Sequence, residues 1–150
     1  MNRLTDHHGL DCSAAHPDAL HAYQLALRAF HCYQGDPVAL LTPALQAHPA
    51  FAMGRVLHAW LHALSTEPTA TEVVHADCQA LQQLTLNARE RLHLEALTCF
   101  NLGQWQQAGR HLEDLSLQWP RDVLALQAGH LIDFLRGDSR MLRDRIARAL

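Results

Sequence analysis

His58 and His62 stand one helical turn apart in HAWLH, the spacing that puts two imidazoles on one helix face and begins many zinc sites. The run lacks the glutamate of the zinc-protease motif, and a zinc ion needs a third ligand that nothing nearby supplies. Both histidines also lie off the apolar stripe of their helix, so they read as half-exposed surface residues. The carboxylates Glu90, Glu95, Glu113, Asp114 and Asp133 fall on three different predicted helices and form no acid/base pair. Cys12, Cys32, Cys78 and Cys99 are widely spaced with no C-x-x-C pair, which suits four reduced thiols. No serine sits in a nucleophile elbow. The residues that could do chemistry therefore assign no catalytic group, no metal and no cofactor.

Composition narrows the function classes further. A chain of 150 residues, 49% of them hydrophobic, is long enough for one domain with a real core. Leu and Ala dominate while β-branched residues are scarce, which favours helix over strand. All 12 basic side chains are Arg, a pattern of coding bias in a GC-rich genome rather than a device. A net charge of −3 leaves no electrostatic footprint for nucleic acid or an anionic membrane surface. Arg136, Arg140, Arg143, Arg145 and Arg148 make the C-terminal end basic, but Asp138 and Asp144 partly balance them, as on a solvated face. The first residues show no signal-peptide run and no segment approaches a membrane span, so a cytoplasmic, soluble protein is expected.

Helix start and stop signals then divide the chain. Residues 1–15 read as irregular. His16-Pro17-Asp18 opens a first helix that should reach Gln34 and stop at Gly35, and Asp36-Pro37 opens a second that ends before Pro49. A third places Met53, Leu57, Trp60, Leu61 and Leu64 on one stripe. Thr69 with Glu72 predicts a capping box for a fourth, and Asn87 with Glu90 for a fifth reaching Leu102. Gly103 breaks the chain before a sixth from Trp105 to Trp119, Asp122 caps a seventh to Arg136, and Gly137-Asp138 leads into an eighth. No strand pattern competes.

The helices repeat. A shift of 34 residues superposes Gly103 on Gly137, Leu97 on Leu131 and Phe100 on Phe134. Arg89 to Asp122 follows the logic of a helix pair: small Ala96 and Ala108 for close approach, Gly103 for the turn, Pro120 for the stop. The expected fold is all-α, an αα-superhelix of about eight helices in tetratricopeptide-like pairs, with residues 16–150 as the repeat domain. ALQAHPAFAMGRVLHAWLHAL, NARERLHLEALTCFNLGQWQQAG and WPRDVLALQAGHLIDFLRGDSRMLRDRIAR resemble successive blocks of the tetratricopeptide-repeat protein 38 family. They share its proline-aromatic-x-Met-Gly run, its R-E-R-L-H helix and its L-x-x-x-H-x-x-x-F-x-x-G helix pair. The resemblance covers the N-terminal third of a typical member and implies a superhelix without an established catalytic site.

A superhelix of this kind presents the first helix of each pair along a concave groove. The residues expected to line it are Glu90, His93, Leu97, Phe100 and Asn101, then Leu124, Gln127, Leu131 and Phe134. They include no cationic clamp for a free carboxylate terminus. Phe100 and Phe134 are expected to stack, and the groove either receives a protein or peptide partner or is filled by the first helix through Tyr23, Leu27 and Phe30. Met141, Leu142, Ile146, Ala149 and Leu150 leave an apolar stripe at the end, which predicts self-association through the last two helices and suggests a truncated repeat array. Two other readings stay open: a ligand- or metal-binding protein or enzyme with a site between helices, and a fragment without a function of its own.

Overall fold

The computed structural model describes residues 4–65, 67–137 and 148. Among them lie seven helices: α1 (Pro17–Cys32), α2 (Pro37–Ala47), α3 (Ala52–Ala63), α4 (Ala70–Gln82), α5 (Ala88–Asn101), α6 (Trp105–Gln118) and α7 (Val123–Leu135). The eighth helix expected after Gly137, and the apolar stripe on it, lie outside the described residues.

Most helix ends follow from local chemistry. Pro37 occupies the first turn of α2 while the Asp36 carboxylate accepts the N–H of Ala39. Asn87 and Glu90 form the reciprocal capping box of α5, at 2.9 and 3.0 Å. Asp122 accepts the N–H of Ala125 at the start of α7. Two ends differ from expectation. The Thr69 side chain makes no cap, because Thr69 already has helical backbone (φ −80°, ψ −9°) instead of the extended conformation that turns a capping oxygen towards the second or third helical N–H. α1 stops before Gln34, because Tyr33 takes the left-handed conformation (φ 53°) and folds its N–H back to Ala29 and Phe30.

Each helix packs on the next, and α1 on α3 and α3 on α5 as well, so α1, α3 and α5 form a row, while α7 packs chiefly on α6. One core runs through all of them, with Tyr23, Phe51, Met53, Leu57, Trp60, Leu97, Leu112, Leu124 and Ile132 fully buried. The α3 stripe supplies Met53, Leu57 and Trp60 to it, while Leu61 and Leu64 pack at its edge. Gly54 marks the closest approach: a Cβ there would come within 2.8 Å of the Phe51 ring and 3.0 Å of Leu45. Gly103 and Gly137, one period apart, both adopt positive φ, 80° and 71°, just past α5 and α7.

The N-terminal segment is not irregular. β1 (Leu4–Thr5) and β2 (Asp11–Cys12) pair antiparallel, Leu4 opposite Cys12. The Asp6 carboxylate closes the connecting loop by accepting the N–H groups of His8 and Leu10. Strands of two residues carry no alternating pattern, so nothing in the hydrophobic periodicity announces them.

Candidate functional site

The N-terminus of α5 is where segments more than 70 residues apart in the chain meet. Glu90 uses one carboxylate oxygen for its own capping box and the other to accept the N–H of Ser13 at 2.8 Å. Arg89 donates to the carbonyl of Asp11 at 3.0 Å and to the Asp122 carboxylate at 3.1 Å, and Asn87 also donates to the Asp11 carbonyl. The hairpin is therefore stitched to α5, and α5 to the cap of α7.

Four residues further along α5, His93 completes the arrangement. The indole N–H of Trp60 donates to its Nδ1 at 3.1 Å, so Nδ1 carries the lone pair and Nε2 carries the proton, which it donates to Asp122 at 2.8 Å. Burial alone would raise the Asp122 carboxyl, but His93, Arg89 and the Ala125 N–H outweigh it and hold it below the usual carboxylate range. Burial likewise works against the charge on Arg89, and Asp122 more than restores it. Glu90 and His93 are 0% exposed, Asp122 2% and Arg89 3%, so the network is sealed from solvent. Both ring nitrogens of His93 are occupied, which leaves no lone pair for proton abstraction.

A second, shallower network repeats the pattern. Asp77 of α4 accepts from Nδ1 of His58 at 2.5 Å and from Arg55 at 3.1 Å, both on α3. Arg55 and Arg89 lie one period of 34 residues apart. Each shares its aspartate with a histidine from its own helix. The His58 and His62 rings lie 4.6 Å apart, and burial followed by the His58 charge lowers the His62 pKa below its usual value. Among the described residues, no group of three or more His, Cys, Asp and Glu side chains is placed to hold a metal ion.

The four cysteines are free, and burial pushes up the thiols of Cys12 (to about 12), Cys78 and Cys99. These three are protonated and poor nucleophiles at neutral pH.

The expected groove divides into two halves with different fates. On α5, Glu90, His93, Leu97 and Phe100 are buried, and the half-exposed Asn101 donates to the carbonyl of Thr71. Phe100 does not meet Phe134. It stacks on Trp105 with centroids 5.1 Å apart and meets Trp60 edge-on. The physical reason is that the hairpin, α3 and α7 converge on this face of α5, and its polar groups bind them. On α7, Leu124 is buried, Gln127 and Leu131 are half-buried, and Phe134 stands 68% exposed beside Leu135 at 39%. The Gln127 amide donates to the carbonyl of Phe30, which ties the end of α1 to α7.

Arg55, Asp77, Arg89 and the pairing role of Asp122 were not foreseen from the sequence. The recurrence of arginine at the 34-residue period is the signal that could have found them. No protein-family model matches the chain, and no solved structure matches it.

Proposed function

We propose that the protein is a non-catalytic helical-repeat module of tetratricopeptide-like kind that docks a protein or peptide partner on the outer face of α7. The carrying observation is the stripe Gln127, Leu131, Phe134 and Leu135, spaced as one helix face, half-buried at Gln127 and Leu131 and exposed at Leu135 and Phe134, the latter 68% exposed. The packing of α1 on α3 and of α3 on α5, the positive-φ glycines one period apart and the resemblance to the tetratricopeptide-repeat protein 38 family support the repeat reading. The non-catalytic reading rests on the Asp122 network, whose histidine has both nitrogens committed, and on the protonated buried thiols.

The stripe is uncharged, so the partner it suits is an apolar helix or peptide side chain rather than a free carboxylate terminus. A photoreactive benzoylphenylalanine at position 134, with position 117 on α6 as the exposed control (Leu117, 56%), tests this in the source cells. The expected result is one dominant adduct from position 134, reduced by competing Phe134-containing protein and absent from position 117. Adducts of equal yield and identity from both positions would contradict it.

A further inference from the structure

A cavity of about 310 Å³ opens between the N-terminal hairpin loop and α1. Its walls are His7 and His8 from the loop and His21, Gln24, Arg28 and His31 from α1, with Leu25, Leu27 and the ring of Tyr23 giving it an apolar side. A second cavity of about 350 Å³, between α1 and α7, shares His31 and adds Leu126, Gln127 and His130.

Buried polar atoms in folded proteins almost always find a partner. Here Gln24 Oε1 and His31 Nε2, on residues of the first cavity, and Gln127 Oε1 and His130 Nδ1, on residues of the second, are buried with no hydrogen-bond partner among the described residues. The formally charged groups of the first cavity are one guanidinium, Arg28, and one carboxylate, Asp6, whose Oδ1 is already committed to two backbone N–H groups, and four imidazoles complete its polar lining.

We propose that the cavity between the hairpin loop and α1 binds a small organic carboxylate with an apolar body and an O–H or N–H donor. His31 and Arg28 hold the carboxylate, Leu25, Leu27 and Tyr23 pack against the body, and Gln24 Oε1 accepts from the donor. A pocket of this size, mostly apolar with a few convergent polar groups, is the common form of a small-ligand site.

Protonation follows binding. In the free protein, burial and then the charge of His8 lower the His31 pKa, against an opposing pull from Asp122. His7, His21 and Arg28 around the cavity and His130 across the cleft add no negative charge, and Asp6 adds one. A bound carboxylate reverses this balance, so His31 takes up a proton on binding. Affinity is therefore greatest where His31 is protonated and falls as pH rises through the value it has in the complex.

The test is titration calorimetry of the full chain with 4-hydroxyphenylacetate, phenylacetate (no hydroxyl) and 2-(4-hydroxyphenyl)ethanol (no carboxylate), in two buffers of different ionisation heat. Saturable one-site binding of 4-hydroxyphenylacetate is expected, with proton uptake, affinity about tenfold weaker without the hydroxyl, and none detectable without the carboxylate. Arg28→Gln, at an exposed side chain, should weaken binding about tenfold with the melting temperature unchanged, and His31→Gln should remove the proton uptake. Phe134→Ala should leave this binding intact, which separates it from the α7 surface. No binding by either carboxylate, equal binding of the alcohol, or binding indifferent to both Arg28→Gln and His31→Gln would overturn the proposal.

Discussion

At the scale of single residues, a few side chains do most of the joining. Asp122 binds Arg89, His93 and the first turn of α7 together inside the protein. Asp122→Asn keeps an oxygen for the helix cap but strands a buried guanidinium, and should cost about 3–5 kcal/mol in a denaturant titration. The same contact carries a pH signature. The Asp122 carboxyl is depressed in the folded protein, so its contribution is fully present above the usual value of 3.8 and drains away as pH falls towards the lower folded value. The melting temperature of the wild type should drop more steeply than that of Asp122→Asn below that value, and parallel curves would assign the acid sensitivity elsewhere. Tyr33 offers the opposite case: 77% exposed and left-handed, it holds a conformation that costs a residue with a Cβ about 1 kcal/mol. Tyr33→Gly should raise stability by about that amount, as read by thermal melting.

At the scale of elements, what was legible in the sequence was what is local. The caps at Asp36, Asn87 and Asp122 and the α3 stripe were readable because their partners lie within one or two helical turns. The Thr69 cap does not form because the backbone of Thr69 is already helical, where a capping residue is extended. The hairpin was invisible because its strands have two residues each and its anchor, Glu90, lies 77 positions from Ser13. That distance also explains the groove. The sequence leaves the α5 face either to a partner or to the first helix, because periodicity records that a helix has a face but not which distant segment covers it. Gly54 shows packing acting on one element: Gly54→Ala improves helix propensity by about 1 kcal/mol, yet its methyl must displace the Phe51 ring. A net loss of about 1–2 kcal/mol is expected from chemical denaturation, and a gain would mean that Phe51 moves freely.

At the scale of the whole molecule, the row of α1, α3 and α5 is closed at α5 by the N-terminal hairpin, and the far end of α7 is exposed at Phe134 and Leu135. Exposure makes Phe134 dispensable for folding: Phe134→Ala should change stability by less than about 0.5 kcal/mol, whereas a residue stacked in a filled groove would cost several times more. The arginines of the two histidine–arginine–aspartate networks lie one repeat period apart, and the polar groups most suggestive of chemistry are also those that tie α3 to α4 and α5 to α7. Native-state hydrogen exchange at the Ser13 amide, the donor to buried Glu90, tests this closure most directly. Protection of Ser13 approaching that of core amides such as Ala96 is the result predicted here. Exchange at the rate of an unstructured peptide, with Ala96 still protected, would mean that the hairpin stands away from α5 and the groove is open.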